Sequence, residues 1–311
     1  MLPEILKDER LECLGRFMMA VPLASRAIYT DQAVAGLGDI RAETTSKTVE
    51  QMILMAEQER DRLLKMPHET EGNRFHQLVR ADTGAVIAFR EDELDEYIYK
   101  ASGYFFVDGV GYVFKTGADT ELVDLVVHDM MVASRHVIPA PLEEKLRLSG
   151  FCIDSAVVAG DEVRGELVRV EFPIAELPGF SLKFKTYSHK GFQGDDLLTR
   201  IRRGESLIFD MASGVSIRNI RKGNRSVAGY QGQEHVSVMR TPEGRDYFSA
   251  KWEYQGKPDS ISHPFISLDL GYKWLEKPGA GIEHPSQEQI LAYWDKVLDS
   301  LALRDTEKGI P

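Results

Sequence analysis

Two consecutive stretches, "RFHQLVRADTGAVIAFRED" (74–92) and "GYFFVDGVGYVFK" (103–115), each set alternating apolar segments around a turn. Asp82-Thr83-Gly84 separates Phe75–Val79 from Ala85–Phe89. Asp108-Gly109 supplies the residue types that tolerate positive φ in a tight turn. Hairpins pair their strands antiparallel, so this chain is not built from alternating βαβ units.

The neighbouring segments extend the pattern. "GRFMMAVP" (15–22) and "RAIYTDQAVAG" (26–36) read as short strands. Between 49 and 64 the period changes: Val49, Met52, Ile53, Ala56, Leu63 and Leu64 share a helical face, with Thr48 and Gln51 spaced as a capping box. Leu122, Leu125, Val126, Asp129, Met130 and Ala133 mark a second helix, ended by Pro139 and Pro141. "VIPAPLEEKLRLSG" (137–150) is the best linker candidate, which predicts domains at 1–145 and 146–311.

Beyond it, strands are predicted in "GELVRVEFPI", "FSLKFKTYS", "SVAGYQGQEHVSVMR", "RDYFSAKWEYQG" and "PFISLDLGYK", with a short helix in "DDLLTRIRRG". The last helix is the clearest: Ser286 and Gln289 have capping-box spacing, and Ile290, Leu291, Trp294, Val297, Leu298 and Leu301 form one stripe. Trp294 is therefore a core residue. Both halves are α+β, mainly antiparallel sheet with a few helices on one face.

The 311 residues suffice for two domains. With 38 Lys and Arg against 49 Asp and Glu, the net charge of −11 opposes nucleic acid and anionic membranes. The one basic cluster, Arg200, Arg202, Arg203, Arg218, Arg221, Lys222 and Arg225, lacks the interleaved aromatics of a base-stacking surface and reads as a solvated face. No apolar run approaches the ~20 residues of a membrane span, so membrane insertion is not expected. A signal peptide is not apparent, leaving a cytosolic protein or a processed exported one.

No catalytic constellation assembles in the sequence. "ASGVS" and "GESLI" lack the second glycine of a nucleophile elbow, and "GLGDIR" (36–41) and "GVGYVF" (109–114) lack the third glycine of a dinucleotide loop. His68, His76, His128 and His136 have no H-E-x-x-H spacing or nearby cysteine, and "EDELDEY" (91–97) lacks the ligand alternation of a calcium loop. Catalytic residues, metal ligands and cofactors are accordingly expected to be none. The two cysteines sit beside acids, Cys13 next to Glu12 and Cys152 two residues before Asp154, which disfavours a thiolate nucleophile. Composition leaves a disulfide and two buried thiols both open.

Several stretches resemble the immunity proteins of type VI secretion lipase effectors: "CLGRFMMAVP" (13–22), "GFCID" (150–154), "AGYQGQE" (228–234), "WEYQGKPDS" (252–260), "PFISLDL" (264–270) and "YWDKVLDSLALR" (293–304). The resemblance is weak over 23–145 and strong over 150–304. It implies a periplasmic protein of two α+β domains arranged as a clamp, monomeric before it binds a cognate phospholipase effector by its lid. In that oxidising compartment Cys13 and Cys152 are expected to pair. Partner-binding residues are not indicated; Tyr272, Trp274 and Arg245 are candidates by residue type and position. The alternatives are a periplasmic binding or immunity module of the same fold directed at a different toxin or ligand, and a hydrolase of unfamiliar geometry.

Overall fold

The computed structural model describes residues 2–34, 38–92, 94, 97–160, 165–188, 194–211, 215–258, 260–274 and 278–304, without the side chains of 205–211. The chain folds into two compact units. One joins Met1–Thr30 to the segment from Leu167 onward, and the other is formed by Asp31–Glu166.

The chain opens with β1 (Glu9–Leu14) and β2 (Phe17–Pro22), paired antiparallel, followed by β3 (Ile28–Ala33). The second unit contains β4 (Ile40–Glu43), α1 (Val49–Leu63), β5 (Phe75–Ala81), β6 (Gly84–Arg90), β7 (Ile98–Val107), β8 (Val110–Asp119) and α2 (Val123–Ser134). Its strands form one antiparallel sheet in the order β4-β8-β7-β6-β5. Both predicted hairpins are present, closing at Ala81↔Gly84 and Val107↔Val110. The second turns through Asp108 and Gly109 at φ 43° and 87°, the double positive φ that a two-residue hairpin loop requires. Met52, Ala56 and Leu63 of α1 cover Ala85, Ile87 and Tyr104 on one face of the sheet. The alternate positions Val86, Ala88 and Phe105 point the other way, where α2 packs on β6, β7 and β8. At α1 the cap is half of the predicted box: Thr48 Oγ1 accepts from Gln51 N at 3.2 Å, but Gln51 Oε1 accepts from Lys47 N.

The predicted linker is folded. β9 (Val137–Pro139), α3 (Leu142–Lys145), β10 (Phe151–Cys152) and β11 (Ala156–Val158) follow one another, and the strands pair in the order β10-β11-β9. Lys145, only 3% exposed, turns its ammonium inward to the carbonyls of Ile153 (3.0 Å) and Asp154 (2.6 Å). Strand pairing between 137–139 and 156–158 bridges the expected division at 145/146. The compact units divide instead at 30/31 and 166/167. Proline and charge there mark a tight, capped connection, not a free one.

The chain then returns to the first unit through β12 (Leu167–Glu171), β13 (Phe180–Tyr187), α4 (Leu197–Met211), β14 (Ser216–Val227), β15 (Tyr230–Arg240), β16 (Asp246–Tyr254), β17 (Phe265–Lys273), α5 (Gln287–Ser300) and β18 (Ala302–Leu303). Seven strands align as β14-β15-β16-β17-β13-β12-β3, and β18 pairs with β2 to complete a three-stranded sheet. That last pairing explains why the first thirty residues belong to this unit. Along β13, Phe180, Leu182, Phe184 and Thr186 are buried while Ser181, Lys183, Lys185 and Tyr187 are not, the period-2 pattern of a strand on a core.

One expectation is revised here: α4 continues well beyond "DDLLTRIRRG". The basic stretch 216–227 is a strand, exposed or half-buried up to Val227.

Candidate functional site

α5 starts as the sequence predicts: Ser286 Oγ accepts from Gln289 N at 3.2 Å, and Gln289 Oε1 accepts from Ser286 N at 2.8 Å. Ile290, Trp294, Val297 and Leu298 of its apolar stripe are fully buried, each contributing about 1.5–3 kcal/mol of burial. The helix packs on β2 and β17.

Its polar flank meets the basic stretch. Arg221 and Arg225, on β14, reach Asp295 of α5 with Nη–Oδ distances of 2.8 and 2.7 Å. Arg225 also donates to Glu234 of β15 at 2.8 Å, and Trp294 Nε1 donates to the same oxygen at 2.7 Å. Glu234 is only 6% exposed, so its charge rests on these two donors and on the nearby Arg221 at 3.9 Å. Outside this network, Arg218 bonds Gln287, Arg200 pairs with the buried Glu253, and Arg203 pairs with Asp195. The guanidinium stems of Arg221 and Arg225 replace apolar side chains on the inner face of β14. A scan for apolar alternation passes over such a strand; alternating arginines opposite a helix with Asp295 and Asp299 were the available signal.

Adjacent to it, Trp252 lies fully buried with Nε1 bonded to the carbonyl of Arg225 at 3.0 Å. The indole passes so close under Gly232 that a Cβ there would lie 2.5 Å from it. The stretches "AGYQGQE", "WEYQGKPDS" and "YWDKVLDSLALR" thus converge on one core, through Glu234, Trp252 and Trp294. It is a packed structural centre.

The partner candidates separate. Tyr272 is 1% exposed, bonded through its hydroxyl to His284 Nδ1 at 2.7 Å, and burial pushes its phenol up to about 12. It is a packing residue. Trp274 stacks edge-on against Tyr272 and donates to Pro285 O at 3.0 Å, half-buried. Arg245 is exposed, in the turn between β15 and β16.

His68 is buried, with Nδ1 accepting from Glu71 N at 3.3 Å, while His128 and His136 are exposed. His76 lies edge-on to Tyr99 at 4.8 Å, and burial, then the charge of Arg90, lower its pKa. Among the described residues no three His, Cys, Asp or Glu side chains gather as a metal site would require. "GVGYVF" is the β7–β8 turn and the start of β8. Gly36 and Leu37 of "GLGDIR", three residues of "EDELDEY", and the serine side chains of "GESLI" and part of "ASGVS" lie outside the described residues.

Cys13, on β1, and Cys152, on β10, are each fully buried, and neither is a free thiol. Tyr29 donates its hydroxyl to Cys13 O at 2.9 Å, and Asp154 N donates to Gln32 Oε1 at 2.6 Å.

The sheets are mainly antiparallel in two α+β units, and three of the stretches that carry the resemblance meet in the packed core of one of them. The chain belongs to the family described as Tle cognate immunity protein 4 C-terminal domain, which matches residues 147–306. No curated protein matches it. Among solved structures it is similar to the apo structure of immunity protein TplEi of the T6SS from Pseudomonas aeruginosa, at 21% identity and a TM-score of 0.82, covering 96% of this chain and 98% of that one. A chain in the crystal structure of the Tle4–Tli4 complex gives the same values. TplEi complexed with "L" peptide follows at 20% identity and a TM-score of 0.74, covering 96% and 99%. At these identities the structures establish a shared fold over nearly the whole chain.

Proposed function

We propose that this chain neutralises a cognate type VI phospholipase effector by binding its lid region and denying the active site access to lipid. The family match over residues 147–306 carries this reading, and the solved complex of Tle4 with Tli4 supports an effector as the partner. An inhibitor of this kind needs a rigid surface of roughly 1,600 Å² in contact, not a nucleophile. Lid-gated enzymes must open to engage their substrate, so a bound lid is enough to stop them. No described helix is long and apolar enough to cross a membrane. The chain acts as a binder without catalytic turnover, in the periplasm, where Cys13 and Cys152 form a disulfide; their burial and the lack of a free thiol support that bond.

Co-expression with a type VI phospholipase encoded by a neighbouring gene, followed by copurification and a phospholipase assay, tests the proposal. The expected result is a stable complex with suppressed lipid hydrolysis. A neighbouring phospholipase that neither copurifies nor loses activity overturns it.

A further inference from the structure

In the second unit, on the face of the sheet that carries α2, a cavity of ≈ 640 Å³ opens beyond the end of the β7–β8 ladder. That volume is within the usual range for a ligand-binding cleft. Arg90 and Tyr99, paired across β6 and β7, form its floor, with the guanidinium 5.0 Å from the ring centroid. Arg90 is only 8% exposed, and its Nε is buried without an acceptor; Glu71, at 3.3 Å from Nη2, is its ion-pair partner. A buried guanidinium N–H favours an acceptor within reach.

The wall has the opposite character. Asp119 and Glu121 line it together with Glu71, giving three carboxylates around one arginine. Tyr97 stands at the rim with 73% of its surface exposed, its backbone carbonyl bonded to Thr120 N at 3.0 Å. Leu122 and Leu125 follow Glu121 in the chain, each more than 40% exposed. An exposed tyrosine beside apolar residues and unneutralised acids is the composition of a binding anchor with a charged rim.

We propose that this cavity is a docking point for the effector, taking an arginine or lysine side chain from an extended loop. The incoming cation meets Asp119, Glu121 and the face of Tyr97. A main-chain carbonyl of the same loop supplies the acceptor that Arg90 Nε lacks. Apolar residues flanking the basic one lie on Leu122 and Leu125. The charge balance selects this occupant: an acidic loop would be repelled by three carboxylates for one arginine already paired with Glu71. The inference rests on the effector-neutralising reading and adds a contact point to it.

The test has two arms on the intact protein. In the first, acetyl-Leu-Arg-Leu-amide and acetyl-Leu-Glu-Leu-amide are titrated while the Arg90 Nε–H and Tyr97 ring resonances are followed by NMR. The arginine peptide is expected to shift both, and the glutamate peptide neither; equal or better binding of the glutamate peptide, or no shift with either, overturns the proposal. In the second, binding of the copurifying phospholipase is measured for wild type, Tyr97→Ala, Tyr97→Phe and Glu121→Lys. Tyr97→Ala is expected to weaken binding about 30-fold, Tyr97→Phe to retain it, and Glu121→Lys to slow association about tenfold at low salt with a smaller effect at high salt. Wild-type binding with all variants unchanged removes this docking point and leaves the immunity function standing. Loss of wild-type binding itself removes that function, and this proposal with it.

Discussion

Trp294 Nε1 donates to Glu234 Oε1 at 2.7 Å, joining α5 to β15 through two buried side chains. Arg225 donates to the same oxygen, so the carboxylate is the hub of the contact between the basic strand and the last helix. Glu234→Ala would leave the buried indole N–H without its acceptor and strip the partly buried Arg225 guanidinium of one of its carboxylate partners. We expect a loss of about 3–5 kcal/mol in urea unfolding, and a smaller loss for Glu234→Gln, which keeps an oxygen for Trp294. Equal stability of Glu234→Ala and wild type would show that the hub contributes nothing.

Asp295 gives the same contact a pH dependence. Burial raises its pKa, but hydrogen bonds from Arg221 and Arg225 and their charges outweigh this and hold it below the ordinary carboxylate range. A depressed carboxylate stabilises the fold fully above its unfolded pKa, near 4, and that stability is lost as pH falls through the folded value. Thermal unfolding should therefore show a drop below about pH 4 that is shallower in Asp295→Asn. Parallel profiles for the two proteins would contradict the assignment.

The capping box of α5 predicts a local effect. Ser286→Ala removes the acceptor for Gln289 N and should cost about 1 kcal/mol, with Ser286→Gly costing less. Chemical denaturation of the purified protein reads this directly.

Pairing of Cys13 with Cys152 would close a loop spanning much of the first half of the chain. On the chain-entropy account such a closure contributes on the order of 4 to 5 kcal/mol. Unreduced protein is expected to show no reactive thiol in denaturant, and reduction to lower the melting temperature. Two reactive thiols in protein isolated from the periplasm would exclude the bond.

Legibility followed the source of each signal. The turn at Asp108-Gly109, the Ser286 cap and the apolar stripe of α5 were readable because each depends on residues within a few positions of one another. Strand β14 was hidden because its helix-facing side chains are the half-buried Arg221 and Arg225, paired with the carboxylates of Asp295, Glu234 and Asp299, up to 74 residues away. The packing of the connection at 137–150 was not legible, because proline and charge mark chain direction, whereas Lys145 is buried through the carbonyls of Ile153 and Asp154.

By itself, the sequence determined the α+β class, the hairpins, the terminal helix and the family, since turn chemistry, periodicity and ordered motifs are properties of the local chain. Tertiary structure alone decided that the first thirty residues belong with the segment that starts at Leu167, through β18 on β2. It also decided that Arg90, Tyr97 and Glu121, unremarkable in sequence, line one cavity. Strand pairing and burial join residues by distance in space, and no spacing along the chain encodes that distance.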